Sequence, residues 1–240
     1  MSRAVLLIGS TSPIGHAVAE AFTEAGDRVV GVSVGGDVPE ALVENLTLDV
    51  SAPAGADAAV ARTVKRLGGL DVLVLAAAVM APARAHEADP DDWRRAIANT
   101  LDTAFFPARA ALPVLPAGGS IVAISSVNAT LAAPSLPGYA AAKSGVEGLV
   151  RQLALDYGPR GVRVNAVAPG MIGNHDLPQV GEGYPLGRVG EPSDVAGAVL
   201  YLASAPFVTG VVLPVDGGLS IASPAAFLRP DLRGKLYGDT

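Results

Sequence analysis

Seven short runs of apolar, largely β-branched residues recur along this chain with little regular alternation between polar and apolar positions. They are "AVLLI" (4–8), "RVVGVSV" (28–34), "LTLDV" (46–50), "DVLVLA" (71–76), "SIVAIS" (120–125), "VRVNAV" (162–167) and "VVLPV" (211–215). A strand with one face in water alternates, whereas a strand covered on both faces does not need to. Helical patterns at 14–25, 55–67, 91–115, 139–157 and 193–204 fall between the runs. Strands separated by helices predict a parallel sheet, and right-handed crossovers then wind helices onto both of its faces. The expected class is α/β, a single doubly wound sheet of the Rossmann type. Residues 1–218 form the domain, and 219–240 read as an irregular tail of the same domain. One crossover is short, because "GGDVPEALVEN" after Val34 holds a helical turn or two at most.

Composition narrows the function. Half of the 240 residues are apolar but only 5% are aromatic, which suits buried strands under alanine-rich helices. The net charge of −6, with no long run of one sign, argues against nucleic acid and an anionic membrane surface as partners. The chain has no cysteine, which excludes disulfides, thiolate catalysis and cysteine-ligated zinc. His16, His86 and His175 are scattered, and no metal site is expected. The first apolar run is too short for a signal sequence or a membrane span, so a cytoplasmic protein is expected.

The stretch "IGSTSPIGHAVAEAF" (8–22) joins the first strand to the first helix. Gly9 makes the tight turn, and Gly15 lets the helix approach the sheet. A dinucleotide pyrophosphate would sit at the helix N-terminus, where free N–H groups and the dipole favour an anion. Pro13 stands where a glycine is common in such loops. It fits the first helical position, with Ser12 as N-cap. The Ile14 N–H and the Ser10 and Ser12 hydroxyls remain as donors.

Further along, "ISSVNATLAAPSLPGYAAAK" holds Tyr139-x-x-x-Lys143, with Ser126 thirteen residues before the tyrosine. With the loop, "LDVS" (48–51), Asn99, "VRVNAVAPGMI" (162–172), "PLGRVGEPSDVA" (185–196) and "VTGVVLPVDGG" (208–218), the chain resembles the short-chain dehydrogenase/reductase family. The resemblance implies an NAD(P)-dependent oxidoreductase that interconverts a secondary alcohol and a ketone. Tyr139 would be general acid and base. Lys143, on the same helix face, would lower the phenol pKa and bind the nicotinamide ribose. Ser126 would hold the substrate oxygen, and Asn99 a water that relays protons. Asp49 and Val50 would meet the adenine, Ala76 and Ala77 would pass close to the cofactor, and Pro169, Gly170 and Ile172 would wall the nicotinamide. Ser33 ends the second strand, where an acid usually selects NAD and an arginine NADP. With no cation there or at Ser12, NAD is favoured over NADP. Leu75-Ala76-Ala77-Ala78 replaces the family's Asn-Asn-Ala-Gly. With Pro13, this keeps open an alternative, non-redox chemistry on the same fold. Alanine-rich helices around Asn99 and Tyr139 suit close helix packing, and the resemblance implies a homotetramer.

Overall fold

The computed structural model describes residues 2–237; Met1 and the last three residues of the expected tail, 238–240, lie outside the described residues. The elements are β1 (Ala4–Ile8), α1 (Pro13–Glu24), β2 (Arg28–Ser33), β3 (Glu44–Thr47), α2 (Pro53–Leu67), β4 (Val72–Leu75) and α3 (Pro90–Ile97). There follow α4 (Thr103–Ala111), β5 (Ser120–Ile124), α5 (Pro137–Tyr157), β6 (Arg163–Pro169), α6 (Pro192–Ser204), β7 (Val212–Val215), α7 (Pro224–Leu228) and α8 (Pro230–Tyr237). Proline opens each of α1, α2, α3, α5 and α6. There its missing N–H costs no helix bond and its fixed φ starts the turn.

The seven strands form one parallel sheet in the order β3-β2-β1-β4-β5-β6-β7. Each face carries its own core. Leu6, Ile8, Leu73 and Ile121 point to one side, under α2, α4 and α5. Val5, Leu7, Val74 and Val122 point to the other, where Phe22 of α1 and Val199 of α6 cover them. Burial on both faces explains why these strands show so little alternation. The strand order reverses between β1 and β4, and a crevice opens at such a switch point beyond the carboxyl ends of the strands.

Four local features differ from the sequence expectation. Between β2 and β3 the chain forms turns and no helix. Side chains of α1 and its loop fasten this segment, through Thr11 Oγ1 to Gly35 O (2.7 Å), His16 Nε2 to Asp37 O (2.8 Å) and Thr23 Oγ1 to Ala41 O (3.1 Å). The third strand lies at Glu44–Thr47, so Leu48–Val50 follow it rather than belong to it. The helix expected over 91–115 is divided by a π-helical turn at Ala98–Asp102. The tail is partly helical, in α7 and α8. Its proline residues stand at helix starts and do not break it.

Candidate active site

The glycine loop lies at the switch point. Gly9 has φ +85°, and a Cβ there would stand 2.7 Å from Ala77 N and 2.8 Å from the Ala76 carbonyl carbon. The Ala76 N–H donates to Ile8 O at 2.8 Å, so β4 ends directly beside the loop. A Cβ on Gly15 would strike Gly9 O, which fixes the close approach of α1 to β1. Ser12 is the N-cap, and its Oγ accepts from Gly15 N at 3.0 Å while donating to Gly9 O at 3.0 Å. Pro13 stands at the first helical position, as the sequence predicts.

The hydroxyls are a correction. Ser10 is fully buried, and its Oγ donates to Asn45 Oδ1 at 2.7 Å. Ser12 spends its hydroxyl on the cap. Neither is free for a pyrophosphate, because each satisfies a polar group of the loop or of β3. The His16 N–H goes to Ser12 O at 2.9 Å, and Pro13 has none. Among the described residues of the first turn, Ile14 keeps an N–H that the loop does not consume, and it adds to the positive end of α1. The cradle still fits a pyrophosphate, through backbone and dipole rather than through serine hydroxyls.

With Pro13 in this role, Pro13→Gly destabilises the fold by roughly 1 kcal/mol through added freedom of the unfolded chain. Its affinity for a dinucleotide stays within about threefold of wild type. Chemical denaturation and fluorescence titration measure the two. A tenfold gain in affinity would mean that the ring obstructs the loop.

At the end of β2, Ser33 is nearly buried, and its Oγ accepts from Asn45 Nδ2 at 3.0 Å. Asn45 thus links Ser10 to Ser33 across β3, a role that the sequence reading missed. Val34 beyond it is exposed. Asp49 is exposed; its Oδ1 accepts from both Ser51 N (2.9 Å) and Ser51 Oγ (2.7 Å), and these bonds hold its pKa below the ordinary value. One carboxylate oxygen is therefore engaged in a turn, while Val50 beside it is buried in the core.

The end of β5 meets α5. Tyr139 and Lys143 stand one turn apart, with the Lys143 ammonium 5.6 Å from the centre of the Tyr139 ring. The Ser126 side chain lies near the phenol and favours its ionised form. Ser126 Oγ also accepts from Asn128 N at 3.1 Å, which fixes its side chain at the start of a short 3-10 turn. Lys143 is 1% exposed, and its Nζ donates to Ile124 O at 2.5 Å. Burial lowers its pKa to about 7.

The expected depression of the Tyr139 pKa does not appear. Burial raises it, and the nearby Ser126 side chain opposes that rise. The reason is geometric, since Lys143 directs its Nζ to the Ile124 carbonyl rather than to the phenol oxygen. A lysine with a pKa near 7 also carries only part of a positive charge at neutral pH.

Asn99 lies in the π turn, and its Nδ2 donates to Arg95 O at 3.0 Å on its own helix. The turn packs on α5, where Leu101 lies against Gly145. The structure thus brings together Ser126, Tyr139 and Lys143, and does not join Asn99 to them by a hydrogen bond. Pro169 ends β6, and the Gly170 N–H donates to Val215 O at 3.0 Å. Ile172 forms an isolated parallel bridge with Gly190, made by Gly190 N to Met171 O (2.9 Å) and Gly173 N to Gly190 O (2.9 Å). These bonds use the peptide groups flanking Ile172 and leave its own N–H and C=O directed to the opposite edge. Among the described residues, no group of three or more His, Asp or Glu is placed to hold a metal ion, and no helix is long and apolar enough to cross a membrane.

Comparison with known proteins agrees with this layout. The family described as enoyl-(acyl carrier protein) reductase matches residues 8–220. Trans-4-hydroxycyclohexanecarboxylate dehydrogenase of Sinomonas cyclohexanicum is 34% identical, covering 90% of this chain and 92% of the relative. Ligand-free aldohexose dehydrogenase of Thermoplasma acidophilum superposes with a TM-score of 0.86 at 33% identity, covering 93% of this chain and 96% of that one. A blue fluorescent protein from a metagenomic library, solved in complex with NADPH, superposes with a TM-score of 0.85 at 29% identity, covering 91% and 98%. A parallel sheet with this strand order, a glycine turn at its switch point and a Ser-Tyr-Lys cluster beyond β5 fit the same conclusion, that the chain belongs to the short-chain dehydrogenase/reductase family of oxidoreductases.

Proposed function

We propose that this protein is an NAD(P)-dependent dehydrogenase that interconverts a secondary alcohol and a ketone on a small molecule. The observation that carries the reading is the meeting of Ser126, Tyr139 and Lys143 at the end of β5, beside the switch point where a dinucleotide fits. The nicotinamide, when bound, supplies or accepts the hydride. The Ser126 hydroxyl holds the substrate oxygen, and the Tyr139 hydroxyl gives that oxygen a proton in reduction and takes it in oxidation. Lys143 exchanges a proton near neutral pH and so restores Tyr139 between turnovers. The Ile14 N–H and the positive end of α1 hold the pyrophosphate, and Gly9 and Gly15 give it room to approach the backbone. Ser33, Asp49 and Val50 border the adenosine, Ala76 and Ala77 pass beside it, and Pro169, Gly170 and Ile172 line the nicotinamide. Asn99 serves the proton relay through solvent.

NADH is the preferred cofactor, because neither Ser33 nor Ser12 offers a cation to a 2′-phosphate. Fluorescence titration reads this directly, and NADH binds at least fivefold more tightly than NADPH. Tighter binding of NADPH would reverse the assignment. The function itself is tested by turnover on a panel of ketones and secondary alcohols in both directions. Cofactor binding with no turnover on any of them would favour non-redox chemistry. The assembly that goes with this reading is a homotetramer, and light scattering gives its mass.

A further inference from the structure

The sequence reading left Glu147 unused, and the structure makes it conspicuous. It lies on α5 four residues after Lys143 and eight after Tyr139, and only 7% of it is exposed. Its Oε1 accepts from Ser125 Oγ at 2.9 Å, and its Oε2 faces Arg151 Nη1 at 3.9 Å. Ser125 is itself buried, and its N–H is held by Val167 O of β6 at 2.7 Å.

Three successive residues at the end of β5 therefore each meet a residue on one face of α5. Ile124 O accepts from Lys143, Ser125 donates to Glu147, and Ser126 stands near Tyr139. Residues spaced by four share a helix face, so the three contacts form a clasp along one line. Two of them involve groups that act on substrate and cofactor in the function proposed above. The third has no such task. A leucine at 147 would fill the space without the cost of removing a carboxyl group from water, and a buried polar pair is best justified where it sets a register.

We propose that Glu147 is a positioning residue, whose bond to Ser125 sets the register of α5 against the end of β5 and so holds Tyr139 and Lys143 opposite Ser126. Without that bond the strand end and the helix can slide by a fraction of an ångström, which is enough to misplace a proton donor. The inference rests on the proposed function for its kinetic readout but not for its spectroscopic one.

The test is the variant Ser125→Ala/Glu147→Leu, in which both partners become apolar, a change that tends to leave stability near wild type. The kcat falls at least tenfold and KM stays within threefold, whereas the single variant Glu147→Gln, which keeps an acceptor for Ser125, retains most of kcat. The second readout is the NMR titration of the Lys143 side chain, which needs no turnover. Loosening the clasp admits water to Lys143, and its midpoint rises from about 7 toward the ordinary lysine value. Loss of a nearby negative charge alone would lower that midpoint, so the sign separates positioning from electrostatics. A midpoint that is unchanged or lower, or an unchanged kcat in an active enzyme, overturns the proposal. If wild type turns over no alcohol or ketone, the function reading fails and the midpoint alone decides the clasp. If the double variant does not fold, Ser125→Ala alone carries the same two measurements.

Discussion

In Tyr139→Phe, kcat falls by roughly a thousandfold while the affinity for NADH stays within about threefold. The phenylalanine ring fills the same half-buried space on α5, so the bonds of Lys143 and Glu147 to the strand end are kept. What goes is the hydroxyl that faces Ser126 and, in the function proposed above, moves the proton at the substrate oxygen. Steady-state kinetics on whichever substrate the panel identifies, with a cofactor titration alongside, measures both numbers. Retention of near wild-type kcat would remove Tyr139 from the chemistry, whatever its neighbours do.

Lys143→Met abolishes turnover and at the same time makes the protein more stable. The side chain is wholly buried, and burial holds its pKa at about 7, against 10.5 for an ordinary lysine. Between those two values the unfolded chain binds a proton that the folded chain does not. Wild-type stability therefore rises with pH from about 7 to about 10.5, and it is lowest where the buried amine must carry its charge. At pH 8 the linked cost is about 3 kcal/mol. Methionine avoids it but leaves Ile124 O without its donor, a loss of about 1–2 kcal/mol. The net gain at pH 8 is about 1–2 kcal/mol, and the variant lacks the rise of stability with pH expected of wild type. Denaturation at pH 8 and pH 10 measures the effect. A variant less stable than wild type at pH 8, or one with the same slope against pH, would show that the burial of this amine is not a cost to the fold.

The sheet was legible because its signal is collective. Seven apolar runs, each able to be buried on both faces, leave few arrangements open, and proline at helix starts marks boundaries to within a few residues. Ser12 and Pro13 were legible for a local reason, since a cap and a first helical position depend on neighbouring residues alone. Ser10 was not. Whether its hydroxyl meets a ligand or Asn45 depends on β3, which lies thirty-five residues away in sequence. The same limit applies to Tyr139. Spacing places Lys143 on its face of the helix, but it does not say that Nζ turns to a carbonyl of β5. Glu147 could have been found, because it continues the spacing of Tyr139 and Lys143 by one more turn. Its partner Ser125 adjoins a residue already singled out.

The division of the expected long helix has a consequence of another kind. A π-helical turn accommodates one residue more than an α-helical turn, so the faces of α3 and α4 are out of phase by the rotation of one residue, about 100°. Trp93 and Ala96 of α3 pack against Gly138 at the start of α5, while Leu101, inside the π turn and five residues after Ala96, packs against Gly145 further along it. A regular helix through 98–102 could satisfy one of these contacts but not both. Deleting Ala98 alone would leave Trp93, Ala96 and Leu101 in the chain and still turn one half of this helix away from α5. At this point of the fold the number of residues, and not their identity, determines which surface meets the active-site helix.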